Sequence, residues 1–537
     1  MAPVIRELRA VGTEFTIVFS GRRMCPLLRG SDVPPEDFWL NCRLLRFKGM
    51  CIYYSNLDRL SSDYVVRILM YSDAVDPHKL IDNISSKLSV CPFYALTKLA
   101  EEVDFTIATY PYLFRDDVYS SAFSGLGLDE FYVIIDEAHS LLNPQTVLSE
   151  SLDLRTVSAA YEEVSKAGYA GIANYLSDLM NLLKNIRSER LKRIDKSEVL
   201  PNEDIVNIIS DTLLEIKLKL VTKHMDRPSE YFMRLTSPLS RVVKFLSLLT
   251  KQYINVYGIS HYDSKEFHAL PINYEPVLER LKIARGVLLM SGTLPPKELT
   301  ETVVKDRVNY LDVNEVYGHV FPRENTYYVV YTALTTSYLR RSERMFMEYA
   351  NLVKEVYRVT DGTVLAVYPS YEVLQDVTTY LSGVEFLINE DLRTRVGDVR
   401  NFVLRNEHVL INAVAGGKVV EGVEFRSEDG RSLIKVVIVC GVPYPQPDDY
   451  LRDFQKSLTA YLGDVMSRKV SLDMQAGIKV MQAIGRAIRS EHDKAFIVLA
   501  DRRYLSHSLR EVMGIRYNEV TSSLSRVTHL LKEFLHH

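Results

Sequence analysis

The sequence predicts an α/β protein built from two blocks of parallel sheet, with a long helical insertion in the first, and three observations carry that prediction. Short apolar runs rich in β-branched and aromatic residues end repeatedly in small or charged ones, as in Phe131–Ile135 followed by Asp136 and Glu137. Helical segments separate these runs, the alternation expected of parallel sheets. Between roughly residues 150 and 268 the short runs give way to long helical periodicity.

Taken in order, residues 14–20 read as a strand leading into Gly21-Arg-Arg-Met-Cys25. Residues 105–109 read as a buried strand ending in Tyr110-Pro-Tyr112, where an aromatic ring is placed to stack on a base or to pack in a core. Phe131–Ile135 has the composition of a strand buried on both faces, with Asp136 and Glu137 at the carboxyl end where open α/β sheets bind ligands. Two such carboxylates suit phosphate chemistry, Asp136 holding Mg²⁺ through its water shell and Glu137 taking a proton from an attacking water. An acidic surface turn is the alternative.

In the insertion, Ile205, Ile208, Ile209, Leu213, Ile216 and Leu220 mark one helix face, opened by Asn202 with Glu203 and Asp204 in the first turn. Arg187, Arg190, Lys192, Arg193 and Lys196 form a basic cluster, read as a solvated helix surface because acids interleave it. Residues 285–293 form an apolar strand ending in Ser291 and Thr293. A second block starts near Thr300, with strands expected at 363–368, 409–412, 435–439 and 495–500. Ser370 and Lys418 lie at strand ends, suited to gripping backbone phosphates of a nucleic acid if one binds. Met481–Arg489 reads as a helix that puts Gln482, Arg486 and Arg489 on one face at i, i+4 and i+7. Two guanidiniums there suit charge developing on a transferred phosphoryl group, with a solvated amphipathic helix as the alternative.

At 537 residues the chain is expected to hold three or four domains. Its net charge of -4 neither demands nor excludes nucleic acid, which would need local basic grooves. No apolar run reaches the ~18 residues of a membrane span and the first residues do not form a secretion signal, so no membrane association and a cytoplasmic location are expected. Of five cysteines, Cys440 sits in an apolar run and reads as core, while Cys25, Cys42, Cys51 and Cys91 cluster early and suggest metal or cluster ligation.

Asp136-Glu-Ala-His139, Ser291-Gly-Thr-Leu-Pro-Pro296, residues 417–422 and residues 482–489 occur in the order of motifs II, III, V and VI of superfamily 2 helicases. Together with Thr109-Tyr-Pro-Tyr112 and residues 441–449, they make the chain resemble the archaeal XPD/Rad3-like DNA helicases. The resemblance implies two RecA-like motor domains. The first would comprise residues 1–20, 95–149 and 269–299; an iron-sulfur-type insertion 21–94; an arch 150–268; and the second motor domain 300–537. It implies ATP and Mg²⁺, with Asp136 and Glu137 facing Arg486 and Arg489 across a cleft, Gln482 orienting the γ-phosphate region, and Glu421 and Gly422 in motif V at that cleft. Ser291 and Thr293 would relay between nucleotide and DNA. The implied activity is 5′→3′ translocation on single-stranded DNA, with unwinding at junctions, in repair.

Two departures from the family pattern matter. No Gly-x-x-x-x-Gly-Lys-Ser/Thr string occurs; Gly416-Gly417-Lys418 is followed by Val419, where the Mg²⁺-binding hydroxyl would stand. Four or five lost phosphate contacts at about 1.5–3 kcal/mol each remove roughly 6 kcal/mol or more, against a total of about -8 for micromolar binding. The chain alone is therefore expected to bind ATP very weakly, with at least ~30 residues of the family's first βα units absent and a separate polypeptide a candidate source of the loop. In the cysteine segment, Cys25, Cys42 and Cys91-Pro-Phe-Tyr94 match the family, but Leu45 replaces an expected thiol. Cys51 is the candidate fourth ligand of a [4Fe-4S] cluster, with a zinc site or unliganded packed thiols as alternatives. A catalytically inactive, helicase-like DNA-binding or regulatory protein is the second functional class.

Overall fold

The computed structural model describes residues 2–28, 33–71, 77–223, 235–261, 264–293, 297–318, 321–422, 424–427 and 430–536. They form two compact units: Met1–Met290 with Asp448–Ser457, and Ser291–Pro447 with Leu458–His537. Among the described residues no helix is long and apolar enough to cross a membrane.

The first unit contains the strands β1 (Phe15–Val18), β2 (Phe105–Ala108), β3 (Tyr132–Ile135), β4 (Glu150–Asp153), β5 (Lys192–Ile194), β6 (Ile254–His261), β7 (Ser264–Pro271) and β8 (Gly286–Leu289). β1 pairs in parallel with β2, and β3 with β8, as two separate two-stranded sheets. β1 is fully buried under helices Ser62–Tyr71, Pro77–Leu88 and Pro92–Leu99, and Thr16 ties it to one of them by donating from Oγ1 to the Leu96 carbonyl at 2.7 Å.

β2, β3 and β8 depart from the expectation of burial. Tyr132 is 72% exposed, Ile134 56% and Leu288 55%, and Phe105 of β2 is also exposed. The composition of Phe131–Ile135 indicated a strand covered on both faces; it is a strand, but the described residues place only β8 beside it. Ile134 and Leu288 are register partners, so they share one face of the pair, and that face is bare.

The arch region combines helices Leu154–Lys166, Ala170–Asn185, Asp204–Lys223 and Pro238–Leu249 with an antiparallel sheet of order β4-β7-β6-β5, which helical periodicity did not announce. Asn202 caps the third helix as expected, its side-chain oxygen accepting from Ile205 N at 3.1 Å. Of the predicted apolar face, Ile209, Leu213 and Ile216 are buried, while Ile208 turns to solvent. Of the basic cluster only Lys196 is on a helix, the short Lys196–Val199. Lys192 and Arg193 belong to β5 and pair with Asp449 at 3.3 Å and Asp453 at 3.2 Å.

A buried polar knot joins the arch to helix Pro35–Phe47 of the cysteine-bearing segment. Lys217 Nζ lies 2.6 Å from Asp37 Oδ1 and donates to Asn41 Oδ1 and the Leu235 carbonyl, each at 2.8 Å. Ser240 Oγ and Ser237 N also donate to Asp37. Neither Lys217 nor Asp37 is exposed by more than 1%.

The second unit is a seven-stranded parallel sheet with helices on both faces. Its strands are β9 (Thr326–Tyr331), β10 (Thr363–Tyr368), β11 (Leu387–Asn389), β12 (Leu410–Val414), β13 (Ile434–Val439), β14 (Ala495–Leu499) and β15 (Glu519–Thr521), in the order β11-β12-β10-β13-β14-β9-β15. The four strands expected from sequence are β10, β12, β13 and β14, the central ones, each buried almost throughout. Cys440, just past β13, is fully buried in the core, as expected.

Candidate functional site

In the first unit, β3 delivers Asp136 and Glu137 to its carboxyl end, both exposed. Asp136 Oδ1 accepts from Glu137 N at 2.9 Å, so the turn is drawn tight by its own carboxylate. Glu137 has φ 52° and ψ 42°, a left-handed conformation that costs a non-glycine residue on the order of 1 kcal/mol or more and occurs most often at functional sites. Its neighbours hold it there. Ala138 N donates to Met290 O at 3.0 Å, Met290 N to Ile135 O at 2.9 Å, and Glu137 Oε2 lies 3.3 Å from Nδ1 of buried His139. Tyr110, expected as a stacking aromatic, uses its hydroxyl on this turn, donating to the carbonyls of Asp136 at 2.7 Å and Glu137 at 3.1 Å. Burial, then the two neighbouring acids, push its pKa up to about 12, which keeps the hydroxyl a donor.

The second unit gathers the other predicted residues. Gly416 turns the chain after β12 with φ 79°, and Lys418 opens the short helix Lys418–Gly422, which carries Glu421 and Gly422. Lys418 Nζ donates to Leu392 O at 2.6 Å. Ser370 Oγ accepts from Val373 N at 3.3 Å, an N-cap. Ser291 and Thr293 form a small hydroxyl turn, Thr293 N donating to Ser291 Oγ at 3.1 Å. Leu294, Pro295 and Pro296 of that motif lie outside the described residues.

The helix expected over Met481–Arg489 stops earlier. It runs Gln475–Ile484 and includes Gln482, but Arg486 and Arg489 lie beyond its end, so the three do not share a helix face. Past Ile484 the amides of Arg486 and Ala487 bond three residues back, as a turn, and Asp493 fixes the stretch that follows. Asp493 Oδ2 accepts from the backbone N of Arg489 and Ser490 at 2.8 and 2.7 Å, while its Oδ1 accepts from Ser432 N at 2.8 Å. Burial works against the Asp493 charge, yet these donors outweigh it and hold its pKa below the usual carboxylate value. Past the helix, Arg486 Nη2 donates to the Glu421 carbonyl at 2.8 Å, and Arg489 Nε is buried with no hydrogen-bond acceptor among the described residues.

Cys25, Cys42, Cys51 and Cys91 line one cavity, together with Leu45, Trp39, Phe38, Phe93, Tyr53, Tyr54, Tyr94 and Arg46. A backbone hydrogen bond from Cys91 N to Tyr53 O, 2.8 Å, brings the Cys51 and Cys91 segments together. Burial raises the pKa of all four thiols, that of Cys91 to about 12.

Residues 13–158 match the family model DEAD_2, and residues 353–515 match the helicase C-terminal domain. The ATP-dependent DNA helicase XPD of Sulfolobus acidocaldarius is 29% identical over 534 residues, covering 94% of this chain and 86% of that one. A solved XPD helicase superposes with a TM-score of 0.72 at 25% identity, covering 95% of this chain and 86% of the other. This chain belongs to the XPD/Rad3-like DNA helicases. The ATP-dependent DNA helicase CHL1 of Debaryomyces hansenii is 23% identical over 87% of this chain, which spans 64% of that relative. Membership of this helicase family implies ATP, Mg²⁺ and DNA as ligands, and two RecA-like α/β domains.

The cysteine cavity fits the iron-sulfur group that the XPD/Rad3 resemblance implies. Four sulfurs face one largely apolar space, and no carboxylate competes among its lining residues. Among the described residues no three Cys, His, Asp or Glu side chains gather tightly enough to chelate a single metal ion. The four thiols are the donor set that an iron-sulfur cluster would take.

Sequence reasoning missed several residues that shape these sites. Glu390 is 2% exposed and braces the motif V loop, its carboxylate accepting from Val414 N at 2.9 Å and Val419 N at 3.1 Å. A Cβ at Gly417 would stand 2.6 Å from both Glu390 oxygens, so glycine is required by close approach. Lys479, its charge disfavoured by burial and partly supported by Glu421, lies under the same loop. No local signal marks these residues, because their partners are tens of residues away.

Proposed function

We propose that this chain carries most of an ATP-dependent DNA helicase that translocates 5′→3′ along single-stranded DNA and opens duplex junctions, in the cytoplasm, during repair. The turn that holds Glu137 in a left-handed conformation beside Asp136, at the end of a parallel strand, supports this reading most directly.

In this reading Asp136 would hold Mg²⁺, which when bound would neutralise charge on the nucleotide phosphates. Glu137 accepts a proton from the attacking water, with His139 beside its carboxylate to hold its orientation. Gln482 orients the terminal phosphate, while Arg486 and Arg489 stabilise charge on the transferred group. Glu421 and Gly422 position motif V against the nucleotide, the Glu421 carbonyl anchoring Arg486. Tyr110 contacts a base with its ring while its hydroxyl stays on the acid turn. Ser291, Thr293, Ser370 and Lys418 contact DNA phosphates. Cys25, Cys42, Cys51 and Cys91 hold a [4Fe-4S] cluster, which cross-links the segment between residues 25 and 91.

The 537 residues contain no phosphate-loop string, and in this reading a separate polypeptide is one source of the phosphate grip. The test is to co-express the chain with the product of the DNA directly upstream of its start. DNA-stimulated ATPase and unwinding of a 5′-tailed duplex are then measured. The complex is expected to be active and its Glu137→Gln form inactive but still bound to DNA. Full ATPase in the E137Q complex, or none in a well-folded native complex, overturns the proposal. The same absence of a phosphate loop favours the second reading, a DNA-binding protein that does not cycle; it predicts salt-sensitive single-strand binding with no ATPase in any pairing.

A further inference from the structure

We propose that Arg46 is the counter-charge of the cysteine cavity, donating from its buried Nε to the Cys42 sulfur or to an inorganic sulfide and raising the reduction potential of the bound cluster. The inference rests on the cluster reading above and concerns a residue that reading does not use.

Arg46 follows Cys42 by four residues on helix Pro35–Phe47, so the two side chains lie on one helix face. Every other residue lining the cavity is uncharged as a thiol, aromatic, aliphatic, proline or glycine group; Arg46 brings its one fixed charge. The guanidinium is clamped between two rings, with its Cζ 4.8 Å from the centre of Tyr54 and 4.6 Å from that of Tyr94. Those rings are themselves edge-to-face at 5.0 Å, so the clamp is a packed unit. Clamping holds the guanidinium beside Cys42, to which it is hydrogen-bonded.

The Nε atom is the second observation. It is buried and has no hydrogen-bond partner among the described residues. A buried donor left unpaired costs about 1–3 kcal/mol, and although the guanidinium already hydrogen-bonds Cys42 and Tyr54, its Nε remains unpaired. Cluster and thiolate sulfurs are the acceptors the cavity chemistry would bring to it. Four thiolates around an iron-sulfur core leave a net negative group, and reduction adds one more negative charge. A fixed cation and an N–H donor stabilise the reduced form more than the oxidised form, which raises the potential.

The experiment uses the full chain purified anaerobically and reconstituted, with iron and sulfide counted and the midpoint potential read by EPR-monitored titration. Native protein, Arg46→Gln and Arg46→Lys are compared. R46Q is expected to keep its iron and to shift the oxidised-to-reduced ratio at fixed potential at least tenfold toward oxidised, about 59 mV for one electron. R46K, which keeps the charge, is expected to restore most of that shift. Loss of iron from R46Q alone, with R46K loaded, also supports the counter-charge. Equal potentials in all three proteins overturn it, as does an R46K shift as large as that of R46Q. A native chain that takes up no iron fails earlier, in the cluster reading itself, and is told apart by its iron count.

Discussion

Replacing Lys217 with methionine is the sharpest test of how the arch is fastened to the cysteine-bearing segment. The change removes one ion pair at 2.6 Å and two further donated hydrogen bonds, to Asn41 and Leu235 O, while leaving the Asp37 carboxylate buried. Breaking one side of a buried pair costs about 3–5 kcal/mol because the remaining charge is uncompensated. Ser240 and Ser237 still donate to Asp37, so the lower end of that range is expected. Global unfolding of a chain with two units is not two-state, so the readout is local amide exchange in helices Asp204–Lys223 and Pro35–Phe47. A loss of that size speeds exchange by roughly two to three and a half powers of ten, given a tenfold change per 1.4 kcal/mol. Burial holds the Lys217 pKa below its ordinary value despite the pull of Asp37, so desolvation exceeds attraction. The double variant Lys217→Met with Asp37→Leu is therefore expected to be less destabilised than K217M alone. Exchange in K217M within about fivefold of native refutes the reasoning, as does a double variant whose loss equals the sum of the two single ones.

Three further outcomes are expected. Gly417→Ala drives a methyl into the Glu390 carboxylate and displaces the motif V loop; single-strand affinity should fall severalfold, and pairing it with Glu390→Ala, which removes the obstructing oxygens, should restore part of that loss, as read by anisotropy titration. Tyr110→Phe loses the bonds to Asp136 O and Glu137 O, about 1 kcal/mol of local order, with little change in DNA affinity, whereas Tyr110→Ala also removes a stacking ring worth about 1–3 kcal/mol; equal affinities for the two variants would exclude stacking. The pKa of Asp493 is depressed in the folded chain, so its contribution is fully present above its unfolded value near 3.8 and disappears as pH falls through the lower folded value. Acid should thus loosen the Arg489 turn in native protein, and Asp493→Asn should remove that pH dependence, seen as protection of Arg489 and Ser490 amides.

Features encoded locally were legible in the sequence. The central strands β10, β12, β13 and β14 announced themselves because apolar runs of four to six residues are what a doubly covered parallel strand requires. Asn202 could be recognised as a cap because a cap acts within three residues. The early clustering of Cys25, Cys42, Cys51 and Cys91 in the sequence was matched by their shared cavity. What stayed hidden depended on distant partners. The helix around Gln482 gives way after Ile484 to a turn that Asp493 ties to Ser432, 61 positions away, a choice that periodicity over 481–489 does not encode. Glu390 and Lys217 are charged residues whose burial is decided by partners 18 to 180 positions away. The exposure of Tyr132 and Ile134 was equally unreadable, since composition reports what a strand is made of and not what covers it.

That bare surface has a practical consequence for anyone handling the polypeptide by itself. Tyr132, Ile134, Leu288 and Met290 put greasy side chains in water on two short parallel strands whose outer hydrogen-bonding edges meet no other strand among the described residues. Such edges template pairing between molecules, and although Arg285 lies over the Tyr132 ring, β3 and β8 themselves carry no charged residue. Solubility should therefore be the first property to deteriorate with concentration, and sticky, polydisperse preparations are the behaviour to anticipate until another polypeptide strand caps the surface.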